Sequence, residues 1–181
     1  NPPEDNGIKI FEKSGFKLSS KHKQLIEKYL EQDSSCLIKN ARQGHGNSYQ
    51  RYDLLQSYSD SLLNTIGNSR LDGLKIVLDL CWGSATACGL ELFNALGAEV
   101  IVIHGTPNGK LINVDCGSTN LDPLKKAVIE QGADMGFAFD GDADRMLAVD
   151  KKGRVLDGDH ILYLWGSELK AQQKLPDNRL V

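Results

Sequence analysis

A three-layer α/β/α fold on a mixed sheet is what this sequence predicts, and three stretches predict it. Lys75 to His104 reads as strand, helix and strand in succession, and Leu121 to Phe139 as a helix feeding an apolar strand. Two further short apolar runs flank Asp150-Lys151-Lys152-Gly153 in the manner of a hairpin. Parallel strands joined through helices need both sheet faces covered, while a hairpin adds antiparallel pairing.

In order along the chain, Ile8 and Ile10 before the turn at Ser14-Gly15 read as a short strand with alternating faces. Ser19 or Ser20 caps a helix carrying Leu25, Ile26, Tyr29 and Leu30 at helical spacing. Ala41 to Tyr49 is polar, contains Gly44 and Gly46, and reads as a loop or inter-domain connection. Tyr52, Leu55, Tyr58, Leu62 and Ile66 then predict an amphipathic helix ending at Gly67, with a domain boundary close by. Lys75 to Cys81 is expected to be a buried strand, Gly83 to Ala85 a turn, and Thr86 to Leu96 a helix closed by Gly97. Glu99 to His104 is the next strand. Leu121 to Gln131 makes a helix that tolerates Pro123 in its first turn, where the missing N–H has no helical partner anyway. Met135 to Phe139 is a strand, Met146 to Val149 and Arg154 to Leu156 form the hairpin, and Asp159 is expected to cap a last helix through Trp165.

The 181 residues suffice for one large domain or two small ones, and 40% apolar with 25% charged residues is a globular composition. A formal charge of −3 and a pI near 5.8 argue against a broad basic surface for nucleic acid. Cys36, Cys81, Cys88 and Cys116 lack the paired spacing of a zinc site and suit reduced thiols, with Cys81 and Cys88 read as core residues. No apolar stretch is long enough to cross a bilayer and no leader pattern precedes the first element, so a cytoplasmic protein without membrane partners is expected. The chain opens without Met at Asn1 and stops at Val181 as an apolar run begins, which suggests a piece of a longer protein.

The densest chemistry lies at Asp140 to Arg145, where three aspartates alternate with Gly141 and Ala143. Small residues between them let the backbone curl so that the carboxylates converge, and crowded carboxylates need a cation. Oxygen donors of this kind suit Mg²⁺ or a similar hard divalent ion. Arg145 follows, with a forked guanidinium matched to a phosphate beside that metal. An EF-hand would need Gly at its sixth position and Glu at its twelfth, where this chain has Arg145 and Lys151. A solvated turn without metal is the remaining plain alternative. His22, His45, His104 and His160 lack ligand spacing and read as exposed, and Gly83-Ser84-Ala85 could offer N–H groups to an anion.

The run GFAFDGDADRMLAVD over 136–150 resembles the metal-loop segment of the α-D-phosphohexomutases, with Asp157-Gly158-Asp159 following at the family's distance. The opening NPPEDNGIKI is similar to the stretch directly after that family's phosphoserine loop. The resemblance implies two consecutive phosphohexomutase-type α/β/α domains, the first incomplete. Residues 1–68 would be the end of domain one with its linking helix, 69–175 domain two, and 176–181 the start of domain three. It implies Asp140, Asp142 and Asp144 as metal ligands for Mg²⁺, Arg145 as a contact to the phosphoserine phosphate, and Lys9 as a residue that assists proton transfer or steadies the phosphate. The implied partners are a phosphosugar and the remaining domains of the parent enzyme, and the nucleophilic serine would lie outside this chain, leaving the piece alone inactive. INVDCGST over 112–119 is similar to the amino-sugar branch, which implies exchange of glucosamine 6-phosphate and glucosamine 1-phosphate through a bisphosphorylated sugar. A mannose or glucose phosphate mutase of the same family, a non-catalytic metal- or phosphate-binding module, and an aspartyl-phosphate phosphatase using Asp140 and Asp142 are the alternatives.

Overall fold

The structure is a computed structural model that describes residues 9–31, 47, 49–175, 177 and 179. These fall into two compact units, one within Asp5–Arg51 and the other within Tyr52–Val181. In the smaller unit, helix α1 spans Ser20–Glu31 and Ser19 Oγ accepts the His22 N–H at 3.4 Å, the expected cap. The strand expected at Ile8 and Ile10 is not formed at Ile10, and Ile8 lies outside the described residues. Instead Phe11 bridges Lys17 across a tight turn at Gly15, whose φ of +83° favours glycine. The turn residues, rather than the two isoleucines, decide the local pairing. The polar stretch expected as a loop from Ala41 lies almost wholly outside the described residues.

The larger unit opens with α2, Tyr52–Ile66, ended by Gly67 at φ +63°. Its sheet consists of β1 (Lys75–Asp79), β2 (Glu99–Ile103), β3 (Met135–Phe139), β4 (Met146–Asp150) and β5 (Val155–Leu156). The order is β2-β1-β3-β4-β5, with β1 parallel to β2 and β3, and β3-β4-β5 antiparallel. That is the mixed sheet expected from two crossovers and a hairpin. Between β1 and β2 the predicted helix is split into a short 3-10 turn, Ser84–Ala87, and α3, Gly89–Ala95. Helix α4, Asp122–Glu130, joins β2 to β3 with Pro123 in its first turn, and α5, Gly158–Ala171, follows β5. Asp157, not Asp159, caps α5: it is extended and accepts the His160 N–H at 3.2 Å, while Asp159 is already helical.

The alternation of β1 serves two cores. Val77 faces Leu124 and Val128 of α4 together with Ala138 and Val149, whereas Ile76 and Leu78 face Phe93 and Leu80 on the other side. Helices therefore cover both faces, giving three layers. Gly136 sits under α4 because any Cβ there would run into Val128 and Leu124.

Two outcomes test this packing. Leu124→Ala, at a fully buried position, should lower stability by about 3 kcal/mol in denaturant unfolding. At the β4–β5 turn, hydrogen bonds from Arg154 first, and then from the Lys152 N–H, hold the Asp150 carboxyl down at about 2 against an ordinary 3.8. A depressed folded value adds stability above the unfolded value and loses it below. The destabilisation caused by Asp150→Asn should thus be full near neutral pH and shrink as pH falls from 3.8 to about 2, read by unfolding at each pH.

Candidate metal centre

Parallel pairing sets Asp79, Ile103 and Ala138 side by side near the carboxyl ends of β1, β2 and β3. The chain leaves β1 for α3 on one face and leaves β2 for α4 on the other, so the crevice between the ends of β1 and β3 is the topological switch point. Three loops meet there: 80–83 after β1, 104–117 after β2, and Asp140 to Arg145 joining β3 to β4. They approach at backbone distance. Ser84 N–H donates to the Gly141 carbonyl at 2.9 Å, and a Cβ on Gly83 would collide with that same carbonyl. Cys81, Trp82, His104, Asn113, Asp115 and Ala143 all take left-handed φ between 50° and 59°, a concentration of backbone strain at this edge.

Within the hairpin loop, Asp140 N–H reaches the Arg145 carbonyl at 3.3 Å and Ala143 N–H the Asp140 carbonyl at 3.1 Å, so the chain curls as its small residues allow. Asp140 is buried; Asp142 and Asp144 are exposed. One carboxylate oxygen from each lies within 4.8 Å of the others. This all-oxygen set fits a hard divalent ion. The Arg145 guanidinium donates to Asp140 Oδ2 through Nε at 2.9 Å and Nη2 at 2.8 Å, and its Nε lies 3.5 Å from Asp144. The bond to Asp140, then the charges of Asp140 and Asp144, raise the Arg145 value further above its ordinary one, so it stays cationic. The backbone N–H of Arg145 meets Asp140 Oδ1 at 3.2 Å, leaving that oxygen a lone pair for a cation.

A second buried carboxylate underlies this loop. Asp79 is fully buried at the end of β1. Its Oδ1 accepts the Cys81 N–H at 3.0 Å and faces His104 Nδ1 at 2.9 Å, while Oδ2 accepts the Gly117 N–H at 2.9 Å. A carboxylate only accepts, so His104 Nδ1 carries the proton. Asp79, His104 and Cys116 also bring ligand atoms within 4.8 Å, but His104 Nδ1 is spent on Asp79 itself, and with the Cys81 and Gly117 N–H groups the cluster forms a hydrogen-bonded knot. The knot fastens loops 80–83 and 104–117, and Gly117, at φ +64°, lies so close to the Phe139 carbonyl that no side chain fits between.

Among the residues singled out in the sequence, Asp140, Asp142, Asp144 and Arg145 are thus brought together. Lys9 belongs to the other unit, where it lines a cavity of about 400 Å³ with Lys17, Lys23 and the apolar Ile10, Leu18, Ile26 and Leu30. His104 is not a merely exposed histidine, being bonded to Asp79 and packed against Trp82 with ring centres 5.2 Å apart and planes tilted by 50°. Of Gly83 to Ala85, the Gly83 N–H is taken by the Leu80 carbonyl and the Ser84 N–H by Gly141. Cys81 is in the core as expected, while Cys88 is only half-buried. Asp79 escaped the sequence reading; a lone acid closing the run Lys75-Ile76-Val77-Leu78-Asp79 was the available signal.

The family model described as phosphoglucomutase/phosphomannomutase, alpha/beta/alpha domain II, matches residues 56–153, and that of domain I matches residues 1–36. A phosphoglucosamine mutase of Parasynechococcus marenigrum strain WH8102 is 59% identical over the whole chain, and one of Synechococcus sp. strain CC9311 is 60% identical. The chain spans 38% and 39% of their lengths. A phosphoglucomutase/phosphomannomutase family protein of Burkholderia thailandensis superposes with a TM-score of 0.61 at 26% identity, over 86% of this chain and 33% of that one.

Asp79→Ala should strand three N–H donors around a buried void. A loss of about 3 kcal/mol or more in denaturant unfolding is expected, with Asp79→Asn milder because its carbonyl still accepts.

Proposed function

Because the chain belongs to the phosphoglucomutase/phosphomannomutase family, we propose that the protein it comes from is a phosphoglucosamine mutase exchanging glucosamine 6-phosphate and glucosamine 1-phosphate. The observation that carries the reading is the convergence of Asp140, Asp142 and Asp144 with Arg145 at the switch point of the sheet. Names of relatives 59–60% identical over the whole chain support the amino-sugar substrate. Since this chain spans 38–39% of those relatives, the activity is assigned to the longer protein. In that protein, residues 1–68 complete a first domain, 69–175 form the second and 176–181 enter a third.

The three aspartates hold the divalent ion, Mg²⁺ by the hardness of the donors. Once bound, it supplies a positive centre for phosphate oxygens during phosphoryl transfer. Asp140, oriented by Arg145, would supply the buried ligand to the ion, and Asp142 and Asp144 the exposed ones. Arg145 lies mostly exposed, so its guanidinium can also present N–H groups to an incoming phosphate. Its charge does not lapse in the neutral range, so this contact needs no proton uptake. Lys9 is assigned to steadying a phosphate or handing on a proton; it shares its cavity with Lys17 and with Lys23, which is paired with Glu27 at 3.7 Å.

In the full-length protein, Asp142→Asn should lower turnover at least about a hundredfold while leaving the circular dichroism spectrum unchanged. Undiminished turnover would remove the metal assignment. A screen of glucosamine, glucose and mannose phosphates should favour glucosamine, and a preference for mannose or glucose phosphate would move the protein to the other branch.

A further inference from the structure

Two thiols beside the Asp79 knot take no part in the proposed chemistry. Cys81 and Cys116 are both fully buried, and their sulfurs lie 3.8 Å apart although 35 positions separate them in sequence. Cys81 Sγ donates to Asn113 Oδ1 at 3.0 Å and accepts the Asn113 N–H at 3.3 Å. Contacts to the two sulfurs come from Asn113 and from the Leu111 carbonyl, both within the irregular, mostly exposed stretch from Gly105 to Asp115, the kind of segment in which local opening is least costly.

We propose that Cys81 and Cys116 are an oxidative modification site, a thiol pair that a low-molecular-weight disulfide converts into an intramolecular disulfide bond coupled to the aspartate loop. The Cys81 thiolate attacks the reagent's sulfur, forming a mixed disulfide and releasing one thiolate. Cys116 sulfur then attacks Cys81 Sγ, the bond to the reagent breaks, and the departing thiolate takes the Cys116 proton. Two protein thiols are oxidised by two electrons and one reagent disulfide is reduced to two thiols. Burial, then the neighbouring Cys81 sulfur, push the Cys116 thiol up to about 12, so its thiolate is scarce near neutral pH and this second step is the slow one, helped by the 3.8 Å approach of the two sulfurs.

Coupling follows from the packing. A disulfide needs sulfurs about 2.05 Å apart, so the pair must close by well over an ångström. Gly117, next to Cys116, has no slack: a Cβ there would strike the Cys81 side chain and the Phe139 carbonyl. Phe139 precedes Asp140, so closing the pair displaces the aspartate loop, and metal affinity falls when ligand support is disturbed. This last clause rests on the metal reading above.

The complete polypeptide is treated with oxidised glutathione, alkylated and digested with trypsin. The peptide 76–110, which holds Cys81 and Cys88, should be found joined to 111–125, which holds Cys116. Cys88→Ser should keep the link, Cys81→Ser should lose it, and dithiothreitol should reverse it. Both thiols alkylated, separate glutathione adducts, or a link through Cys88 would overturn the site. Magnesium affinity by calorimetry should fall about tenfold in the bridged form and recover on reduction. Unchanged affinity in bridged protein would overturn the coupling. A reduced protein that binds no magnesium would instead overturn the metal reading, whatever the peptide map shows.

Discussion

The carboxylate of Asp79 is the fastening on which the rest of the carboxyl edge depends. A buried charge is tolerated only when its desolvation is offset, and here the Cys81 N–H, the Gly117 N–H and His104 Nδ1 offset it. Each donor comes from a different stretch: the exit of β1, the start of the 3-10 turn before α4, and the exit of β2. One side chain therefore sets the position of two loops, and the Ser84 N–H bond to the Gly141 carbonyl ties the third to them. That contact is possible because Gly83, Gly117 and Gly141 lack side chains at the points of approach.

Asp140 and Asp79 are the two buried acids in the described part of the chain, and they are compensated in opposite ways. Asp79 is satisfied by donors fixed in the fold, the backbone ones unable to leave. Asp140 relies mainly on a side chain, Arg145, that lies largely in solvent and is able to move. The role proposed for Asp140, holding a cation that then faces a phosphate, calls for the second arrangement. The exposed Asp142 and Asp144 carry little desolvation cost, so the loop can gather negative charge around one buried carboxylate.

Much of this was legible in the sequence because periodicity and turn residues act locally. The run Met135 to Phe139, the Pro123 helix and the hairpin around Gly153 lie where the pattern placed them. The aspartate loop was legible for the same reason: its residues are consecutive. The misses are non-local or turn on a single torsion. Cys81 leaves the strand early because it and Trp82 adopt left-handed φ, which no apolar pattern records. The helix after Gly83 breaks at Cys88, whose ψ of −13° with φ −144° is not helical. Asp79 and His104 meet across 25 positions, and parallel register brings them together without any motif.

Strain and function coincide here for a physical reason. A crevice between strands that pass to helices on opposite faces forces the chain to turn sharply within a few residues. Left-handed residues make such turns, and Cys81, Trp82, His104 and Ala143 make them without glycine, at a steric cost of roughly 1–2 kcal/mol each. Contacts to neighbouring loops, among them the Trp82 N–H to the His104 carbonyl at 2.9 Å, must hold these conformations in place. A site assembled in this way has few independent parts. A displacement at the buried sulfurs reaches the aspartates by a short route, through Gly117 and Phe139.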